Sequence, residues 1–144
     1  MKNLMGIICL IFVFCAYSQG FVHSSQMPWK TYSKEALADS LAKGIPVVID
    51  FSADWCGVCH ELEEQVFPRP EIQAKLAKFT ALKVDVTDQE SPAVQKIAGE
   101  YGLEGVPTLI FLNSHGQEIE NARIVGFITA KELSEVLTYC QTHD

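Results

Sequence analysis

The 144-residue chain has no basic excess: 11 Lys and Arg stand against 18 Asp and Glu, a formal charge of −7. Phosphate backbones are gripped by clustered Lys and Arg, so this balance excludes nucleic acid as a partner. Runs of like charge, low-complexity tracts and internal repeats are also missing, and the length then fits one globular domain with a real core. No apolar run is long enough for a bilayer. The longest, Leu4 to Phe14, falls well short of the about 20 residues that a relaxed helix needs to cross. Cysteine is scarce, with five in all, and the three that lie past the first twenty residues cannot make a disulfide scaffold of the small secreted type. The last four residues, Gln141-Thr142-His143-Asp144, are no retention signal of the KDEL kind.

What is present begins with the N-terminus. Lys2 precedes the apolar run, and small residues follow at Ala16 and Ser18, then at Ser18 and Gly20. The pattern predicts a secretory signal peptide over residues 1–20 and a single domain over 21–144. Lipid attachment at Cys15 is the weaker alternative, because bulky Phe14 stands where a small residue is expected. Cleavage would remove Cys9, Cys15 and one Lys, leaving Cys56, Cys59 and Cys140 and a charge of −8. A bacterial periplasm is the expected location, with no membrane attachment afterwards. A close cysteine pair plus one distant cysteine looks like a redox pair and a bystander.

Periodicity orders the rest. Ser33 to Lys43 predicts a helix with Ala36, Leu37 and Leu41 inward, stopped by Gly44. Pro46 to Phe51 is the short apolar run of a strand covered on both faces. A helix is expected from about Cys56 to Phe67, where Pro68 interrupts it, and Pro70 opens another with Ile72, Leu76 and Phe79 inward. Thr80 to Val86 alternates like a strand. Ser91 is the expected cap of a helix striped by Val94, Ile97, Ala98 and Tyr101 and closed by Gly102. Thr108 to Leu112, a turn at Asn113 to Gly116 and a returning strand from Glu118 to Val125 follow. Thr129 and Glu132 form a capping box for a last helix with Leu133, Val136, Leu137 and Cys140 inward. The order predicts an α/β fold: a mixed central sheet with helices on both faces.

The stretch Asp54-Trp55-Cys56-Gly57-Val58-Cys59-His60 carries the chemistry. C-x-x-C is a redox spacing, and C-x-x-C-H is also the spacing for covalent haem attachment. The pair follows a buried strand and opens a helix, where unpaired N–H groups and the helix dipole stabilise a thiolate. Cys56 is therefore the expected exposed, attacking sulfur, and Cys59, one turn in and turned to the core, the one that resolves the mixed disulfide. Glu63 shares a helical face with Cys59, Leu62 and Val66, and Asp50 interrupts the apolar strand leading into the motif. Both carboxylates are expected near the inner thiol, where desolvation and mutual repulsion favour the protonated form. An acid titrating near neutrality can take the proton from Cys59 and return it. Trp55 is read as a packing residue that shields the disulfide and as a candidate substrate contact; Tyr101 is read as packing. Pro107 admits two readings, the first residue of a strand or a cis turn beside the cysteines, with Val106 then offering its backbone to an extended substrate.

Four segments in order, "VVIDFSADWCGVC", "VDVT", "GVPTLIFL" and "GF" before a last helix, make residues 29–142 similar to the thioredoxin superfamily. "DFSADWCGVCHELEEQVF" and "ARIVGF" more closely resemble the C-terminal periplasmic domain of the disulfide reductase DsbD and small exported thioredoxin-like proteins. The resemblance implies a thioredoxin fold, Cys56 as nucleophile, Cys59 as resolving cysteine and Pro107 as a cis proline facing them. It also implies a buried acid at Asp50 and an acid at Glu63. Gly57-Val58 replaces the Gly-Pro of thioredoxin, so the potential and direction of the couple are not implied. The expected activity is thiol–disulfide exchange in the reducing direction, with an oxidant or isomerase as the rival. The dithiol pair itself is the redox group, with no separate cofactor. Expected partners are disulfide-bonded proteins and an electron donor on a separate chain, the protein itself acting as a monomer. Haem attachment is set aside because the pair adjoins a buried strand and Met27 is the sole methionine past the first twenty residues. A metal carrier using Cys56, Cys59 and His60 is disfavoured because Pro107 would crowd the ion; His60 reads as helix surface and Cys140 as a buried small hydrophobe.

Overall fold

The computed structural model describes residues 29–144. The expected signal segment, with Cys9 and Cys15, and Met27 beyond it lie outside the described residues. Along the chain run β1 (Lys30–Thr31), α1 (Lys34–Ala42), β2 (Val47–Ser52), α2 (Gly57–Glu61), a π-helical turn (Leu62–Val66) and α3 (Pro70–Leu76). They are followed by β3 (Thr80–Asp85), α4 (Pro92–Glu100), β4 (Thr108–Leu112), β5 (Ile124–Val125) and α5 (Ala130–Thr142).

The strands form one mixed sheet in the order β1-β3-β2-β4-β5, with β2 parallel to β3 and antiparallel to β4. Being central, β2 is buried at all six positions, and β4 at all five, which is why both read as mainly apolar runs, that of β2 broken by Asp50. Alternate residues feed two cores. Val48, Ala81, Leu109 and Phe111 meet the π turn, α3 and α5 through Leu62, Phe67, Ile72, Leu76, Leu133 and Leu137. On the opposite face Ile49, Phe51, Leu82 and Ile110 lie under α1 and α4, whose Leu37, Leu41, Val94 and Ile97 are only partly buried. This is the expected α/β arrangement, a sheet with helices on both faces.

Local chemistry sets most element ends. Ser33 caps α1 by accepting the Ala36 N–H at 3.0 Å, and Gly44, at φ 64°, takes the left-handed conformation that stops it. Thr129 and Glu132 form the anticipated reciprocal capping box. Thr129→Ala should lower stability by about 1 kcal/mol, read by denaturant unfolding, and leave thiol–disulfide activity untouched.

Four expectations need correction. Ser91 stands at the N-cap of α4 but its side chain makes no capping bond, so that start rests on the fixed φ of Pro92. The helix after the cysteines is not a continuous α-helix: the Phe67 N–H reaches back five residues to the Leu62 carbonyl at 2.9 Å. The returning strand is reduced to a bridge at Glu118 and two paired residues, Ile124 and Val125. Ile119 and Ala122 are both buried in one core, although strand alternation would place them on opposite faces; a turn through left-handed Asn121, at φ 61°, brings both inward. Finally, β1 was not anticipated, because two exposed residues carry no pattern.

Candidate active site

The site is assembled where β2 gives way to α2. The Cys56 N–H closes a turn onto the Ala53 carbonyl at 3.0 Å, which sets Cys56 at the N-cap of α2. Its Sγ accepts the Cys59 N–H at 3.1 Å, one of the backbone donors that a helix start leaves unpaired. Cys56 and Cys59 are joined as a disulfide, with Cα atoms 5.3 Å apart. The expected contrast in exposure is not found: Cys56 is 6% and Cys59 3% exposed. A capping sulfur folds back over the first helical turn instead of projecting from it, and so lies in the same apolar cluster as its partner. The open surface is supplied by neighbours. Trp55 is 56% exposed, which corrects its reading as a packing residue.

Trp55 is held by position. Its Nε1 donates to the Thr87 carbonyl at 3.2 Å, while the Asp54 N–H donates to Thr87 Oγ1 at 2.9 Å. Thr87 is fixed in turn by donating to Asp85 Oδ1 from both N–H and hydroxyl, bonds that hold the Asp85 carboxyl below its ordinary range. Thr87 was missed from sequence; its position after the strand "TALKVD" was the available signal. On the other side, a His60 ring nitrogen lies 2.9 Å from the Asp54 carbonyl, tying the turn to α2. His60 is exposed, as a helix-surface residue should be, and no group of three or more His, Cys, Asp or Glu placed to hold a metal occurs among the described residues.

The Val106–Pro107 peptide is cis, as the second reading of Pro107 had it; β4 starts one residue later, at Thr108, so Pro107 is not itself a strand residue. The Pro107 carbonyl accepts the Gly126 N–H at 2.8 Å, and Thr108 Oγ1 donates to the Gly105 carbonyl at 2.7 Å, fixing the loop from both flanks. Val106 packs against the cluster that contains both cysteines. Its own N–H and carbonyl make no hydrogen bond among the described residues.

Asp50 sits on β2, the strand that leads into the cysteine turn, and is 2% exposed. Its carboxyl is pushed up to about 7, chiefly by burial, with the charge of Lys83 opposing the shift and that of Glu63 adding to it. Parallel register sets Lys83 directly beside Asp50, and Lys83 Nζ donates to Glu63 Oε1. Glu63 is therefore not the sequestered acid the helical stripe suggested. Its side chain is 32% exposed and paired with Lys83, although Cys59, Leu62 and Val66 of the same stripe are buried. Neither carboxylate is hydrogen-bonded to a sulfur, and an oxidised pair has no proton to give.

Cys140 is fully buried on α5, and burial pushes its thiol up to about 12. Cys140→Ala should cost about 1 kcal/mol of stability and leave insulin reduction at the parent rate; loss of reduction would give this cysteine a role in exchange. Tyr101, half-buried, packs 5.4 Å from the Phe51 ring, as expected of a packing residue.

Known proteins can now be compared with this geometry. The family model of the thioredoxin-like domain matches residues 33–141. The thiol:disulfide interchange protein DsbD of Vibrio cholerae is 35% identical over 105 residues, which cover 73% of this chain and 17% of that protein. DsbD of Klebsiella pneumoniae is 40% identical over 100 residues, 69% of this chain and 16% of that protein. The chain thus spans about a sixth of the length of these curated relatives. Among solved structures, the C-terminal domain of Neisseria meningitidis DsbD in the reduced form superposes with a TM-score of 0.65 at 31% identity, covering 74% of this chain and 91% of that one. A thioredoxin from Thermus thermophilus gives 0.63 at 30% identity, covering 78% and 85%. By its fold and its cysteine pair alike, the chain belongs to the thioredoxin-like family.

Proposed function

We propose that this disulfide oxidoreductase of the DsbD-like kind is exported and reduces substrate disulfides outside the cytoplasm. The observation that carries the reading is the reversible type of bond at the head of α2: a Cys56–Cys59 disulfide whose outer sulfur caps the helix. In the reduced protein the Cys56 thiolate attacks one sulfur of a substrate disulfide. A Cys56–substrate bond forms, the substrate S–S bond breaks, and one substrate thiolate leaves and takes up a proton. Cys59, losing its proton to the Asp50 carboxylate, then attacks Cys56 Sγ and releases the second substrate sulfur as a thiol. Two electrons pass to the substrate, and the Cys56–Cys59 disulfide remains. A separate dithiol protein returns it to the reduced state, so the pair is the only redox group required.

Asp50 suits the role of base because burial brings its carboxyl near neutrality, where it can both accept and return a proton. Lys83 and Glu63 act beside it as a charge pair that biases its titration. Val106 offers a free N–H and carbonyl to an extended substrate, Pro107 fixes that loop against the pair, and exposed Trp55 supplies a wall for the substrate. Export rests on the N-terminal pattern, with residues 21–144 as the working monomer, and on the likeness to a periplasmic domain. Among the described residues no helix is long and apolar enough to cross a membrane.

Equilibration with glutathione tests the direction. Known couples run from about −270 mV for thioredoxin to about −120 mV for DsbA, a span of about 7 kcal/mol. The reductive reading expects a potential in the thioredoxin half of that span and catalysis of insulin reduction by dithiothreitol. A potential near that of DsbA would make the protein an oxidant and overturn the proposed direction.

A further inference from the structure

The loop that leads from α4 to cis-Pro107 is held at both ends by one short segment, residues 123–126. Ile124 and Val125 pair with Leu109 and Thr108 of β4, and the Gly126 N–H donates to the Pro107 carbonyl at 2.8 Å. At the other end of the loop, Arg123 Nη1 donates to the Tyr101 carbonyl at 3.0 Å and more loosely to the Gly102 carbonyl at 3.5 Å. These two carbonyls follow the last turn of α4 and accept no backbone N–H among the described residues. They stand at the negative end of the helix, where a guanidinium is well placed. Between the two ties run Leu103 to Val106, and Val106 has free backbone groups.

Arg123 is itself aimed. Its Nε and Nη2 donate to the two carboxylate oxygens of Glu118 at 2.7 and 2.8 Å, a fork that fixes the guanidinium plane and leaves Nη1 for the carbonyls. An unbroken strand would set Glu118 and Arg123 about 16 Å apart on opposite faces, since each residue advances about 3.3 Å and alternates in direction. The left-handed turn at Asn121 brings them into contact instead. The break in the returning strand thus builds the fork. From the inner side, the Tyr101 ring packs 5.4 Å from Phe51 of β2, the strand that leads into the cysteine turn.

We propose that Arg123 is a positioning residue for protein substrates: forked on Glu118, it pins the end of α4 and so holds Val106 where an extended substrate segment can pair with it while its disulfide meets Cys56. The inference rests on the disulfide-exchange reading and adds to it a residue that acts through the loop. A loop released from this brace samples other positions. If it is competent about a tenth of the time, it binds about tenfold more weakly. A small disulfide without a peptide backbone has nothing to pair with Val106 and is indifferent to the brace.

The test is single-turnover oxidation of the pre-reduced full-length protein by insulin and, separately, by neutral 2-hydroxyethyl disulfide. In Arg123→Gln the ratio of the insulin rate to the 2-hydroxyethyl disulfide rate should fall about tenfold. The loss should lie in the half-saturating insulin concentration and not in the limiting rate. The potential from equilibration with glutathione should stay at the parent value, because Arg123 bonds to neither sulfur. Arg123→Lys keeps the charge without the fork, and its ratio should lie between those of the parent and Arg123→Gln. Glu118→Gln keeps the guanidinium but loosens its plane, and should lower the ratio about threefold. A parent ratio in Arg123→Gln overturns the positioning role; should that variant not fold, a parent ratio in Glu118→Gln does the same. A potential that shifts along with the ratio also overturns it, since the cysteines themselves would then be disturbed. A parent ratio in Arg123→Lys overturns the part given to the fork. Failure of the parent protein to reduce even 2-hydroxyethyl disulfide overturns the exchange reading instead.

Discussion

Replacing Cys59 by alanine stops turnover and leaves substrate covalently held on Cys56. The expectation follows from where the two sulfurs stand. Cys56 Sγ accepts a helix N–H, so it is the sulfur stabilised as an anion, and Cys59 lies one turn deeper with its backbone bonded to that sulfur. Release of the substrate is intramolecular, and tethered reactants behave as if present at about 10⁵–10⁸ M. No external thiol at millimolar concentration replaces that, so the loss in turnover should be at least about 10³-fold. Non-reducing electrophoresis and mass spectrometry of the Cys59→Ala protein, exposed to an extract of disulfide proteins, should show adducts that dithiothreitol dissolves. Cys56→Ala should show none. Adducts on Cys59 in the Cys56→Ala protein, and none in the reverse case, would exchange the two roles.

The second large effect is on stability. Asp50 ionises near 3.8 when unfolded and at about 7 when folded. Between those values the native state binds a proton that the unfolded chain has lost, so stability falls as pH rises through the window and is lowest above pH 7. The shift spans about three units at about 1.4 kcal/mol each, which bounds the penalty at roughly 4 kcal/mol. Asp50→Asn removes the ionisation. It should be more stable than the parent at pH 8 by a few kcal/mol, less so at pH 6, and no more stable at pH 4. Urea unfolding of both proteins across this range measures the gap. A gap that widens toward acid pH would contradict the assignment. The same substitution removes the proposed base, so turnover at pH 8 should drop by about 10²-fold or more.

The gain in stability and the loss in activity come from one carboxylate. A buried acid that must ionise costs stability wherever it is charged, and that cost is what brings its titration to the range where proton transfer is useful. Lys83, directly beside it across the β2–β3 ladder, keeps the shift from going further.

Much of this was legible before the structure. Thr108–Leu112 matches the expected strand to the residue, and the capping box at Thr129 and Glu132 is as predicted, because both signals are local. The C-x-x-C motif and the interrupting Asp50 were legible for the same reason, as departures from an apolar background. What failed depended on geometry between elements. Lys83 acquires its role from a strand register that spacing along one chain does not contain. Glu63 lies on the expected stripe with buried Cys59, Leu62 and Val66, but Lys83 reaches it from β3 and keeps it a partly exposed ion-pair residue. The burial of Cys56 follows from a sulfur that folds back to cap its own helix, a rotamer choice with no sequence signature. The returning strand was expected over Glu118 to Val125 from the turn before it, and the left-handed residue at Asn121, between buried Ile119 and Ala122, breaks that strand without a sequence signature.

The most direct test of the account is the rate at which Cys59 resolves a preformed disulfide between Cys56 and a peptide, followed by rapid quench from pH 5 to 9. Proton removal by Asp50 predicts a rate that climbs with a midpoint close to neutrality in the parent protein, and a slower rate without that rise in Asp50→Asn. An Asp50→Asn protein that resolves the adduct with the parent rate and the parent pH profile would show that the inner sulfur needs no buried acid.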